Sequence, residues 1–366
     1  MIIFLTSLPY VSDFKVGSHR IYEGIKNNRE DVVLVSLGIT IAHLLKRNWM
    51  KMLARNFKQK EGCVIPLSLL VPRNTLFLRS EILMRWWWIL SPRLLWIYFN
   101  RSKVNTIYVD VPHYLPYACL LCSDVIYRVS DNYSAFHYWT NACDIIEKKY
   151  LARVRKIVLS SKSLLELPKY DLENVIVIEN GVSRSQLPSK RAVLDREARK
   201  KCDERYKKVI YVGSLESWFD WKLINKLGVE CKEMEFDLFG PVTGVSVPIK
   251  LPGNVKLKGP IDSRLLAEKL LDYDIGIIPF NIIEHKDLIE HVVPLKLFEY
   301  LGAGLRVVST KWSAVDKDLI GLYLADNNYE FISLIKDCCN DEISLNDMLG
   351  QLEQHYWDNK VMEIFK

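Results

Sequence analysis

The sequence predicts an α/β protein of two domains of the same kind, each a mostly parallel sheet covered on both faces by helices. Three observations predict it. Short β-branched and apolar runs alternate with helical patterns along the whole chain. Those runs are unbroken, as strands buried on both faces are, rather than alternating apolar and polar. The alternation also starts afresh near residue 207, after a polar and basic stretch that contains Pro188. At 366 residues the chain is long enough for two cores of ordinary size.

The opening Met1-Ile2-Ile3-Phe4-Leu5 reads as a buried strand running into the loop Thr6-Ser7-Leu8-Pro9-Tyr10. It lacks a basic leader, so no signal peptide is expected, and no apolar stretch reaches the roughly 18 residues that a spanning helix needs. A crossover helix is expected over 17–26, strands at 32–35, 105–109, 125–129, 157–160 and 175–178, and helices over 114–122 and 141–152. Residues 183–206 are expected as a linker. In the second half strands are expected at 209–212, 235–239, 255–257, 275–278 and 306–309, with helices over 220–228, 263–272, 294–303 and 343–356. The expected domains are 1–185 and 186–345, followed by a helical segment 346–366 that packs back toward the first. Two Rossmann-like domains facing across a cleft would gather ligand at the carboxyl ends of their strands.

Composition narrows the class. Hydrophobic residues at 49% and charged residues at 26% exclude a disordered chain. Among the 8 cysteines, Cys119 and Cys122 have no second such pair, and the adjacent Cys338 and Cys339 do not have metal-ligand spacing. Reduced thiols and no structural zinc are expected. Charge is uneven. Residues 1–185 hold 25 basic and 15 acidic residues, a net +10, whereas 43–103 alone hold 12 and 2, again +10. All of the first half's excess thus lies in one segment, which suits phosphates of nucleic acid, an anionic membrane or a charged lipid carrier.

The run Asp274-Ile275-Gly276-Ile277-Ile278-Pro279-Phe280, followed by Pro294-Leu295-Lys296-Leu297-Phe298-Glu299-Tyr300-Leu301-Gly302-Ala303-Gly304, resembles the donor-binding region of bacterial two-domain glycosyltransferases. The likeness is nearest to those that build exopolysaccharide or teichuronic-acid-type polymers. Tyr211-Val212-Gly213, Asp237-Leu238-Phe239-Gly240 and, in the first half, the segment from Tyr127 to Phe136 resemble the same enzymes. The resemblance implies the GT-B glycosyltransferase fold and a cytoplasmic enzyme at the inner face of the membrane. It further implies hexosyl or uronosyl transfer from a nucleoside-diphosphate sugar to a lipid-linked saccharide or polysaccharide, with neither cofactor nor essential metal. In one respect the chain departs from the pattern. Many relatives carry two glutamates eight positions apart, but here His291 stands in the earlier position, with Glu299 in the later one and Glu290 one residue out of register.

Gly213 and Ser214 end an apolar strand, where a tight turn can bring backbone N–H groups to a pyrophosphate, or simply join strand to helix. Lys296 and Glu299 lie one helical turn apart behind Pro294, so the lysine can offset phosphate charge while the glutamate accepts from ribose hydroxyls; a solvent-exposed ion pair is the plain alternative. Phe280 ends a buried strand, and Asn281 suits either a sugar hydroxyl or a loop cap. His291 suits either sugar contact or packing. Trp218-Phe219-Asp220-Trp221 supplies aromatics that either stack on the base or pack the hinge. Asp131 is the leading general base for an acceptor hydroxyl, and an Asx cap is its rival reading. His19 and His137 compete for the same role. Tyr10 and Asp13 are placed on the acceptor side by their position in the first loop.

The segment around Arg85, Trp86, Trp87, Trp88 and Arg93 joins apolar bulk to arginines, with Arg79 and Arg101 flanking. Three successive tryptophans spread over about 200° of a helix and cannot all be buried on one face. They suit an anionic membrane interface, or a helix pair packed on the first sheet with snorkelling arginines. Stacking on nucleic acid is a further reading of such a surface, but no nucleic-acid motif accompanies it and none is expected as a partner. A non-catalytic nucleotide-sugar or polysaccharide binding protein is the remaining alternative.

Overall fold

The computed structural model describes residues 1–6, 17–27, 29–36, 39–40, 62–64, 67–68, 80–136, 139–200, 207–244, 247, 250–315, 318–338 and 340–366. Tyr10, Asp13, His137 and Arg79 lie outside the described residues. The chain divides into two compact units, Met1–Glu179 with Lys360–Lys366, and Asn180–Asn359.

In the first unit the strands are β1 (Ile2–Thr6), β2 (Val32–Ser36), β3 (Ile39–Thr40), β4 (Cys63–Val64), β5 (Leu67–Ser68), β6 (Thr106–Val109), β7 (Val125–Val129), β8 (Lys156–Leu159) and β9 (Val175–Val177). Seven of them form a sheet in the order β4-β2-β1-β6-β7-β8-β9, with every described pairing parallel, while β3 and β5 pair separately. β1 and β7 are buried at every position, because helices cover both faces and no strand residue reaches water. Lys360–Lys366 add to this core: Phe365 packs 5.8 Å from the Phe4 ring, and Val361 lies where a side chain on Gly24 would stand.

In the second unit β10 (Lys207–Val212), β11 (Met234–Phe239), β12 (Val255–Gly259), β13 (Ile275–Ile278), β14 (Arg306–Thr310) and β15 (Leu322–Ala325) form a parallel sheet in the order β12-β11-β10-β13-β14-β15. The order reverses direction between β10 and β13. In sheets of this kind the carboxyl ends of the strands at such a reversal are where ligands bind.

Several expectations need adjusting. The segment expected as a linker holds a 3₁₀ turn, Arg184–Gln186, and a helix, Lys190–Lys200. Buried Arg196 ties that helix to the second unit by donating to the carbonyls of Ala303 and Tyr273. The expected helix 343–356 is two pieces, Leu345–Gly350 and the 3₁₀ turn Gln351–His355. Helices Ile282–Ile289 and Asn328–Asp337 and strand β15 were not expected. No helix among the described residues is long and apolar enough to cross a membrane.

Candidate nucleotide-binding site

The crevice is built on two glycines. At Gly213, after β10, φ is +149°, and at Gly240, after β11, it is +148°, a region that side chains rarely adopt. A Cβ on Gly240 would stand 1.8 Å from the Gly213 carbonyl oxygen, and one on Gly213 would stand 2.5 Å from Lys296 Nζ. The Gly213 amide is taken by the sheet, donating to the Phe239 carbonyl at 2.9 Å. The Gly213 amide is thus not one of the turn's N–H groups left for a phosphate; what Gly213 contributes is the absence of a side chain, and Ser214, next in the turn, is half-buried.

Lys296 occupies the space that Gly213 leaves. It sits in the first turn of the helix Leu295–Gly302, entered through Pro294, and places Nζ 4.0 Å from the Tyr211 ring centre and 5.1 Å from that of Phe280. Burial pushes its ammonium down to about 7, against the opposing pull of the Glu299 carboxylate. Tyr211, which sequence reasoning passed over as part of a strand, thus forms the floor of the site. Its hydroxyl donates to the Ser214 carbonyl at 2.9 Å and holds the turn closed. Tyr300, on the buried side of the same helix, accepts from the Val212 amide at 2.7 Å, and its ring lies where a Gly276 side chain would be. A glycine inside the apolar run of β13 was the sequence signal for that close approach.

Glu299 stands one turn after Lys296. Its Oε1 accepts from Gln186 Nε2 at 3.1 Å, a contact between residues 113 apart that no periodicity could reveal. Phe280 is buried, stacks on Trp312 with centroids 5.5 Å apart, and donates its amide to Thr310 Oγ1 at 3.2 Å. Asn281 caps the helix Ile282–Ile289, accepting from the Glu284 amide at 3.1 Å, so its cap reading is the one the geometry records. His291 is buried in the turn before Pro294, while the neighbouring Glu290 accepts from the Ser313 hydroxyl.

The loops on the two sides of the reversal are joined to each other. Phe219 bridges Phe280, the Asp220 amide donates to the Pro279 carbonyl at 2.9 Å, and the Asn281 amide donates to the Trp218 carbonyl at 2.8 Å. Of the aromatics expected there, Phe219 is buried edge-on to Tyr211 and is internal packing, whereas Trp218 stays half-exposed. Asp220 caps the helix Trp221–Glu230 through the Leu223 amide.

In the first unit, Asp131 lies just past the carboxyl end of β7 and is half-buried. Burial pushes its carboxyl up to about 6, and the charge of Arg128 works against that rise. The next turn is closed by the Tyr133 hydroxyl, which donates to the Asp110 carbonyl at 2.8 Å. His19 is wholly buried in the helix Gly17–Lys26, beside Ser18, whose hydroxyl is 3.1 Å from that of Tyr108; its ring therefore has no exposed edge.

The three tryptophans divide between surface and core where the helix Glu81–Trp86 gives way to a 3₁₀ turn, Trp87–Leu90. Trp88 is core, 5.0 Å from the Tyr117 ring; Trp87 is half-buried against Tyr114; Trp86 is 55% exposed. Arg85 pairs with Glu81 at 2.8 Å, and exposed Arg93 lies over the Trp96 ring. Ile82, Trp96 and Phe99, at 70%, 54% and 75% exposed, extend the apolar surface over the helices Glu81–Trp86 and Pro92–Phe99.

No protein-family model matches the chain. Over 151 residues it is 30% identical to the Bacillus subtilis (strain 168) protein named "Putative teichuronic acid biosynthesis glycosyltransferase TuaH"; the match spans 40% of this chain and 36% of that relative. Among solved structures, Anabaena HepE in complex with UDP and glucose matches 99% of this chain and 96% of its own, with a TM-score of 0.67 at 12% identity. Sucrose-phosphate synthase from Thermosynechococcus elongatus matches 100% and 95% with a TM-score of 0.65 at 13% identity. WaaG, a glycosyltransferase of lipopolysaccharide biosynthesis, matches 98% and 95% with a TM-score of 0.59 at 9% identity. The fold is that of the GT-B glycosyltransferases.

Proposed function

We propose that the protein is a glycosyltransferase that moves a sugar from a nucleoside-diphosphate donor to a lipid-linked saccharide or polysaccharide acceptor. The observation that carries this reading is the Lys296 ammonium held over Tyr211 at the Gly213 turn, where the strand order reverses, with Glu299 one helical turn behind it. HepE, which has the same fold, is solved with UDP and with UDP-glucose, which supports a UDP-sugar as the donor, and the glycosyltransferase name of TuaH supports sugar transfer.

In this reading Lys296 meets the donor diphosphate and stabilises the charge that grows on it as it leaves. Glu299 accepts from the ribose hydroxyls, and Phe280 and Asn281 border the sugar. In the first unit Asp131 is the proposed base. The acceptor oxygen bonds to the anomeric carbon, the bond from that carbon to the diphosphate oxygen breaks, and the acceptor proton passes to the Asp131 carboxylate.

The exposed surface of Ile82, Trp86, Trp96 and Phe99, rimmed by Arg93, Arg101 and Lys103, supports docking at the inner, anionic face of a membrane. Indole rings suit the headgroup boundary and arginines attract anionic lipid, which would bring the chain to a lipid-linked acceptor.

The test incubates the full chain with UDP-glucose or UDP-glucuronate and a lipid-linked saccharide in anionic vesicles, and follows glycosylated lipid and released UDP. Acceptor-dependent UDP release is expected. Tight UDP binding with no transfer to any acceptor supplied would instead favour a non-catalytic nucleotide-sugar binding protein.

A further inference from the structure

We infer that Gln186 is a positioning residue that sets the carboxylate plane of Glu299 and so governs how the site reads the ribose of a nucleoside diphosphate. The inference rests on the proposed ribose role of Glu299.

A glutamate carboxylate turns easily about its last torsion, so it selects for a vicinal diol only when something else fixes its plane. Gln186 is built to do this. Its side-chain oxygen accepts from the Ser183 amide at 3.1 Å, which orients the amide plane and aims its nitrogen at Glu299 Oε1, also at 3.1 Å. Ser183 returns the contact by accepting from the Gln186 backbone, which completes a capping box around the turn Arg184–Gln186.

The turn itself has little freedom. Val182 donates to the His355 carbonyl at 3.0 Å and accepts from the Trp357 amide at 3.1 Å. The Arg184 guanidinium lies 4.0 Å from the Tyr356 ring centre, and Asn180 donates to the Val293 carbonyl at 3.0 Å. Leu187 seats against the far end of the glutamate's own helix, its methyl 2.5 Å from where a Gly302 side chain would begin. The turn therefore grips the helix Leu295–Gly302 at Glu299 and again three residues on. A surface hydrogen bond between two mobile side chains would show none of this support.

The experiment measures binding of UDP and of 2′,3′-dideoxy-UDP by titration calorimetry to the full chain, its Gln186→Glu, Gln186→Ala and Glu299→Ala variants, with thermal unfolding of each. Gln186→Glu is the decisive change, since glutamate keeps the capping-box acceptor for Ser183 but turns a like charge on Glu299. It is expected to weaken UDP binding about tenfold while dideoxy-UDP binding changes less than about threefold, with little loss of melting temperature. Gln186→Ala should lose the same discrimination and melt lower. Glu299→Ala should bind the two nucleotides alike. If Glu299→Ala loses ribose discrimination while both Gln186 variants keep it, the positioning role is overturned and the ribose reading stands. If Glu299→Ala keeps the discrimination, or the wild-type chain shows none, the ribose reading falls and the role of Gln186 with it.

Discussion

Changing pH across neutrality titrates one charge at the heart of the proposed donor site. Burial holds the Lys296 ammonium at about 7, although Glu299 opposes the shift. A diphosphate gains only from the charged form, and a lysine is charged below its pKa, so donor affinity should rise as pH falls and be lost as pH rises. With a value of about 7, the charged fraction is roughly one half at pH 7, about a tenth at pH 8 and about a hundredth at pH 9. The dissociation constant of UDP-glucose should therefore grow about fivefold from pH 7 to 8 and nearly tenfold from 8 to 9, with a plateau below about pH 6. A nucleotide sugar is the right ligand because its diphosphate has no proton to lose near neutrality. Calorimetry in buffers of different ionisation enthalpy should also show uptake of about half a proton on binding at pH 7. Three other groups border the lysine or its helix. Glu299 carries a carboxyl group, the Tyr211 hydroxyl is pushed up by burial and keeps its proton, and His291 adds a buried imidazole in the turn before the helix. Lys296→Met separates the lysine from these groups, for their contributions would survive in it. Lys296→Arg keeps its charge throughout and should flatten the profile. A wild-type affinity that does not change from about pH 6 to 9, or a slope that persists undiminished in Lys296→Met, would refute the reasoning.

Asp131→Asn should reduce transfer by about a hundredfold to ten-thousandfold and leave UDP binding intact. In the wild type the acid limb of kcat/KM should rise through about pH 6, where the carboxyl loses its proton, and near-normal turnover of Asp131→Asn would return the role of base to another group. Gly240→Ala has no side chain to push aside, since its Cβ meets the Gly213 backbone oxygen, and should cost at least about 1–3 kcal/mol of stability together with UDP binding. Gly244→Ala is strained at φ +69° but meets nothing within 4 Å, so it should melt slightly lower and bind UDP normally. Trp86→Ser with Phe99→Ser should reduce partition onto anionic vesicles without changing UDP affinity, whereas Trp88→Ser should cost about 3–5 kcal/mol as a core deletion. Equal loss of lipid and UDP binding in the double variant would make that surface a packing element.

How far the sequence foretold this molecule depended on whether each feature leaves a local trace. β1 and β13 were legible because strands buried on both faces are apolar without interruption, β7 because only Arg128 interrupts its run, and the helix Leu295–Gly302 because Pro294 opens it and Gly304 turns the chain beyond it. That Trp86, Trp87 and Trp88 cannot all be buried on one face was legible, but not the change from the helix Glu81–Trp86 to a 3₁₀ turn, Trp87–Leu90, that divides them. The helix Lys190–Lys200 was read as linker because its composition is polar, yet what anchors it is a buried arginine bonded to two carbonyls, which hydrophobic periodicity does not record. That Lys296 and Glu299 lie one turn apart on a helix was visible from the sequence, but their supports, Tyr211 below one and Gln186 beside the other, depend on contacts across long stretches of chain. That the Gly213 amide is engaged by the sheet was hidden for the same reason, since its partner is on β11.

The backbone seam between the loop of Trp218–Asp220 and that of Pro279–Asn281 bears on how the site can be remade. The two segments lie 61 residues apart in sequence, Phe219 against Phe280, yet each meets the other's hydrogen-bonding groups. Transplanting either one alone from another protein of this fold would strand amides and carbonyls of the other beside a buried Phe219 and Phe280, at a cost of about 1–3 kcal/mol for each group left unmet. Donor preference in this fold should therefore be exchangeable by grafting both segments as a matched pair, and resistant to grafting them singly.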